Sequence, residues 1–194
     1  MLFKIKTYIQ FLLKATNQHG VHSPFVYTLV TKCFYDRKNK PVYKQLKPIF
    51  ASGANTVFSY RYAKLIHRLT NYLHIKNILV SPALPVIQYT MFLQEHKINI
   101  DTTLTPKKQY DMYLLHPSQY AGSAKKLVFE IVPHLHNNSV ILCPNIRATQ
   151  KHLDFWHQLI ALDTISVSID LFNIGLLFIR KEQVKENFKI RLWG

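Results

Sequence analysis

Apolar residues recur along this chain with two periods, one helical and one of short uninterrupted runs. Leu2, Ile5, Ile9, Leu12 and Leu13 return at helical spacing, while Lys4, Lys6, Gln10 and Lys14 lie largely elsewhere around the same helix. Residues 2–17 therefore read as an amphipathic helix whose stripe docks on the protein's own core. Gly20 ends it, Ser23 is a natural N-cap, and Pro24 suits a first helical position. The next helix, over 24–35, points Val26, Leu29, Val30 and Cys33 inward. Asp36 to Lys47 reads as a basic connector ending near Pro48, and 51–55 as a small-residue loop around Gly53. From Thr56 the pattern is regular. A helix over 56–73 leads into an apolar strand at 77–80, and a helix over 85–96 opens at Pro85. Strands follow at 98–104 and 111–115, a helix at 119–132, a strand at 139–143 and a helix at 149–160. Thr164 to Ile169 and Gly175 to Arg180 suggest a closing antiparallel hairpin, with Phe188 to Leu192 as a short last strand. Short apolar strands alternating with helices specify an α/β sheet covered on both faces.

Composition narrows this picture. The chain has 194 residues, 48% of them hydrophobic, enough for one packed α/β domain with an appendage and too few for two full domains. No apolar run reaches bilayer length. The opening Met1-Leu-Phe-Lys-Ile-Lys6 puts Lys inside its apolar stretch and makes a poor signal peptide. Cys33 and Cys143 stand far apart without metal-type spacing, which suits a reduced, cytoplasmic setting.

Charge adds the most. The net charge is +15, and it is lopsided: residues 1–76 carry 13 Lys or Arg and one acid, Asp36, while residues 77–194 carry 12 and 9. A field concentrated in one segment attracts polyanions or anionic headgroups. On the 56–73 helix, Tyr60, Arg61, Tyr62, Lys64, His67 and Arg68 interleave aromatic and basic groups. That pattern could grip RNA by stacking and phosphate contacts, and it equally describes a helix packing tyrosines on a sheet with its cations in water. His19 with His22, and His134 with His136, have spacings that can ligate zinc, but no further ligand completes either set, so no metal is expected. Cys143, at a strand end before Pro144, reads as a buried, inert thiol.

The order of elements and the run His19-Gly-Val-His-Ser-Pro-Phe-Val26 resemble a group of class I S-adenosylmethionine-dependent methyltransferase-like proteins found in Bacteroidetes. Tyr110-Asp-Met-Tyr-Leu-Leu115, His136-Asn-Asn-Ser-Val140, Val167-Ser-Ile-Asp170 and Arg180-Lys-Glu-Gln183 also look like segments of that family. The resemblance implies a Rossmann-like class I methyltransferase sheet (residues 51–194) behind a basic helical extension (residues 1–50). An active member would run its first strand into a glycine-rich turn. Here that strand meets Ser81-Pro-Ala-Leu-Pro-Val86, without glycine and with two prolines that remove backbone donors. The ribose-binding acid expected at the end of the second strand is replaced by Thr105, with Asp101 earlier in the strand. The fourth strand ends at His116 before Pro117, and the fifth at Cys143-Pro-Asn145, where relatives carry acids. Ser81, Ala83, Thr105 and His116 thus mark a degenerate cofactor site, and no bound cofactor or catalytic residue is expected. Leu104 to Tyr110 is also too short for a helix and strand, so the sheet is expected to lack about one βα unit.

The reading these points favour is a non-catalytic methyltransferase-like protein. Its basic N-terminal half would meet a polyanion, RNA or a ribonucleoprotein, through Arg61, Lys64 and Arg68 with Lys38, Lys40 and Lys44 on the adjoining connector. Two alternatives stay open. One is a protein–protein or membrane-surface adaptor using residues 2–17; the other is an active methyltransferase with an atypical cofactor site.

Overall fold

The computed structural model describes residues 2–51, 57–81, 98–116, 119 and 121–192. Seven strands form one sheet: β1 (Asn77–Val80), β2 (Asn99–Asp101), β3 (Tyr110–Leu114), β4 (Leu135–Pro144), β5 (Val167–Asp170), β6 (Ile174–Phe178) and β7 (Glu186–Lys189), in the order β2-β1-β3-β4-β6-β5-β7. β6 runs antiparallel to β4 and β5, and the remaining pairings are parallel. The expected closing hairpin is β5–β6, whereas β7 crosses over to lie parallel beside β5. A full Rossmann half carries two strands beyond the first. Here, among the described residues, β2 alone lies there, and residues 102–109 lead directly to β3 on the other side of β1. Among the described residues one βα unit is missing, where the short Leu104–Tyr110 span required it.

The central strands β1, β3, β4 and β6 feed two cores, because successive side chains point to opposite faces. Ile78, Val80, Met112, Leu114, Val140, Leu142, Leu176 and Phe178 join one cluster, while Leu79, Tyr113, Ile141, Cys143 and Leu177 join the other. The second face is covered by α5 (Ala124–Ile131) and α6 (Gln150–Ala161), through Val128, Phe155, Trp156 and Leu159. The first is covered by α2 (Pro24–Leu29), α3 (Pro41–Ala51) and α4 (Tyr60–Tyr72). Val26, Leu29, Phe34, Val42 and Leu46 from the extension therefore sit in the same core as the sheet.

Four local expectations change. The first helix, α1 (Leu2–Lys14), stops short of residue 17 because Thr16 pairs with the C-terminal end of β7: its N–H reaches the Lys189 carbonyl at 2.8 Å, and its carbonyl accepts from Arg191 N–H at 2.9 Å. α1 docks through Thr7 and Phe11, not through the expected stripe, whose Leu2, Ile5, Ile9, Leu12 and Leu13 are exposed. The 36–47 connector is largely helix α3, which passes through Pro48 because Val42, Tyr43 and Leu46 are buried against α4 and the sheet. Packing overrides proline's usual cost there. The 24–35 helix is α2 continuing as a π-helical turn, Val30–Phe34, closed by Tyr35 N–H donating to the Val30 carbonyl at 3.0 Å. The expected helix over 85–96 and Ala83 lie outside the described residues. Among the described residues, no helix is long and apolar enough to cross a membrane.

The His19–Val26 run is architectural. Gly20 packs so closely on Thr16 that a Cβ would overlap its hydroxyl. The Ser23 side chain caps α2 at the Val26 N–H and donates to Gln183 Oε1 at 2.9 Å. Phe25 stacks edge-on against Phe178, with centroids 5.1 Å apart, beneath the Arg180 guanidinium. The motif hooks the N-terminal helices to the last strands.

Candidate functional site

Two places could hold a ligand. The first is where this class of sheet binds one, at the carboxyl ends of the strands where the strand order reverses. That point lies between β1 and β3. Ser81, just past β1, is buried and donates its N–H to the Leu114 carbonyl at 3.0 Å, joining the two strand ends. His116 stands two residues past β3. Its N–H donates to Gln119 Oε1 at 3.1 Å, and burial holds its ring below the usual histidine range.

The acid of the second strand needs correction. β2 ends at Asp101, so the strand end is acidic, and Thr105 lies in the following loop. The carboxylate is occupied. Its Oδ2 accepts from Lys108 Nζ at 2.7 Å, from the Tyr110 hydroxyl at 2.6 Å and from the Thr105 hydroxyl at 3.3 Å. Lys108 and Tyr110 hold Asp101 below its ordinary pKa. At the end of β4, Cys143 is fully buried and burial pushes its thiol up, which leaves it protonated.

The second place is a cleft of about 910 Å³ beside the C-terminal segment. Its cations are Arg37, Lys38, Arg61, Lys64, Arg68 and Arg191, and Asp36 is the acid among its lining residues. They come from three parts of the chain. Arg37 and Lys38 follow the π turn, where Asp36 Oδ1 accepts the Lys38 N–H at 2.9 Å and fixes the loop. Arg61 and Lys64 lie one turn apart on α4. Lys64 Nζ sits 4.8 Å from the Tyr60 ring centroid and 5.7 Å from that of Tyr43, and the Tyr60 hydroxyl donates to the Tyr43 carbonyl at 2.9 Å. Arg191 is brought in from the far end of the chain, its carbonyl accepting from the Tyr35 hydroxyl at 2.8 Å. Tyr43 also lines the cleft but is buried with its hydroxyl shielded, and burial raises its pKa despite Arg68 nearby.

The expected partner-binding set is thus divided. Lys38, Arg61 and Lys64 line the cleft, whereas Lys40 and Lys44 are not among its lining residues. Lys44 is exposed on α3 rather than on a connector. Arg68 is the second correction. It is buried, donating from Nε to the Cys33 carbonyl at 2.9 Å and from Nη2 to the Phe34 carbonyl at 3.1 Å. Those carbonyls lie in the last turn of a helix, where that of Cys33 otherwise accepts only a long 3.4 Å bond from the Asp36 N–H, so Arg68 is structural and forms the floor of the cleft. The sequence pattern missed Arg37 and Arg191. Arg37 adjoins Asp36 in a basic run, but nothing in one dimension brings Arg191 to α4.

No protein-family model and no curated protein sequence matches the chain. Its fold is similar to that of a Staphylococcus aureus protein assigned as a caffeoyl-CoA O-methyltransferase, with a TM-score of 0.52 at 14% identity over 73% of this chain and 93% of that one. It is also similar to a methyltransferase from Podospora anserina solved with SAH bound, with a TM-score of 0.50 at 11% identity over 83% and 97% of the two chains. At such identities the likeness speaks for the fold alone, and the chain has the Rossmann-like α/β fold of class I O-methyltransferases, shortened by one βα unit among its described residues.

Proposed function

We propose that this chain is a non-catalytic, methyltransferase-like scaffold that binds a polyanion, RNA or a ribonucleoprotein, in the basic cleft. The observation that carries the reading is the convergence of Arg37, Lys38, Arg61, Lys64 and Arg191 on one concavity beside Tyr35 and Tyr43. Cations drawn together from three parts of the chain repel one another, a cost that an anionic occupant relieves. Phosphates suit the guanidinium forks, and the half-buried Tyr35 ring suits an unstacked base. The glycine-free Ser81–Val86 sequence after the first strand and the engaged Asp101 carboxylate support the non-catalytic part.

The test is anisotropy of a labelled single-stranded RNA against the full chain across a salt series. Arg37→Glu with Lys38→Glu, and separately Lys64→Glu, are expected to weaken binding and to flatten the salt slope by about one unit for each phosphate no longer held. Wild-type affinity in these variants, or no RNA binding by the wild type, would overturn the cleft reading. Micromolar uptake of S-adenosylmethionine in calorimetry would overturn the non-catalytic part.

A further inference from the structure

α1 leaves an apolar face in solvent. Leu2 is 84% exposed, Leu13 81%, Ile9 53%, Ile5 48% and Leu12 38%. At helical spacing these five positions fall within an arc of about 100°. The arc lies opposite the face that docks, where Thr7 is buried and Phe11 packs on Phe172 with ring centroids 5.5 Å apart. Thr7 can be buried there because its hydroxyl donates to the Phe3 carbonyl at 2.9 Å. A surface helix ordinarily buries its apolar stripe and shows its polar side; this one is held along a narrow seam and shows the stripe.

We infer that α1 lies along an anionic lipid surface, with Leu2, Ile5, Ile9, Leu12 and Leu13 in the acyl boundary. The charge around the stripe selects this occupant. α1 carries Lys4, Lys6 and Lys14, and no acid occurs in the chain before Asp36. Lys6 borders the arc, whereas Lys4 and Lys14 lie beside the docking face and add only to the longer-range positive field that draws the helix to an anionic surface. Arg61 and Arg191 line a depression of about 320 Å³ that Tyr8 and Leu12 also line, so further cations adjoin the stripe. A second copy of this chain is the poorer fit, since each copy carries +15 and would bring its lysines against the other's.

Ile9→Gln and Leu13→Gln keep the charge and alter exposed positions, so the fold is preserved. Wild-type protein is expected to co-sediment with phosphatidylcholine vesicles containing phosphatidylserine and not with phosphatidylcholine alone. Each substitution should weaken that partitioning about tenfold, the loss expected for one aliphatic side chain. Three results would overturn the inference: no vesicle binding by the wild type, full binding by the Gln variants, or a vesicle-free dimer that the Gln substitutions abolish. RNA binding by the same variants should be unchanged, so this inference and the cleft reading fail separately.

Discussion

Arg68 and Cys33 are joined by a hydrogen bond of 2.9 Å from the guanidinium Nε to the backbone carbonyl, across the seam between α4 and the π turn. A cation that completes a helix end cannot also be a dispensable group on a binding surface. Arg68→Met is expected to cost about 2–4 kcal/mol of stability, because the buried Phe34 carbonyl loses its donor and that of Cys33 keeps only the long bond from Asp36 N–H. Urea unfolding would measure it. Lys64→Glu, at a position that does not cap a helix, should leave the midpoint nearly unchanged.

A second cation is tied down in the same way at the ends of β4 and β5. Arg147 meets Asp170 side-on, with Nη1 at 2.6 Å from Oδ1, and donates to the Phe172 carbonyl at 2.8 Å, while its guanidinium faces the Phe11 and Phe172 rings. Both members of the ion pair are buried. Asp170→Ala should therefore cost about 3–5 kcal/mol by leaving a buried charge unpaired. The double variant Arg147→Met with Asp170→Leu should recover part of that loss in the same denaturation assay. Equal instability of single and double variants would show that the pair's hydrogen bonds to the turn outweigh its charge.

Asp111 makes stability depend on acid. Burial works against its charge, but the N–H groups of Asn77 and Lys76, at 2.7 and 2.8 Å, and His136 at 2.8 Å outweigh it and hold the carboxyl below its usual range. A carboxyl depressed in the folded state stabilises above its unfolded pKa of about 4, and that contribution disappears as pH falls through the folded value. Asp111→Asn should thus be less stable than wild type at neutral pH. The gap should narrow as pH falls below the unfolded value of about 4 in melting curves taken across pH.

Gly175 on β6 lies under the indole of Trp156, so closely that a Cβ would overlap the ring. Trp156 is among the largest fully buried side chains. Gly175→Ala should destabilise the protein by about 1–3 kcal/mol through overpacking and change the near-ultraviolet circular dichroism, which reports the ring's packing. An unchanged spectrum and midpoint would show that α6 can shift outward at little cost.

Sequence alone determined the elements whose identity is local. Runs such as Ile78-Leu-Val80 and Val140-Ile-Leu142 had to be strands because they are short, apolar on both faces and bounded by turn residues. Ser23 and Pro24 had to open a helix, and the short span from Thr105 to Tyr110 could not hold a βα unit. The strand end at Asp101, the helix through Pro48 and the docking face of α1 were decided by tertiary structure, because each depends on which surface lies opposite. An apolar stripe in sequence says that a helix has two sides; it does not say which side finds the protein. The cleft divides in the same way. Thirteen cations before residue 77 announced an electropositive half. Only the fold could bury Arg68 against two helix-end carbonyls and bring Arg191, from the far end of the chain, to the wall beside Lys64. Hydrogen-bond partners across that distance are set by where the β7 end pairs with Thr16, a pairing that leaves no period and no spacing in the chain.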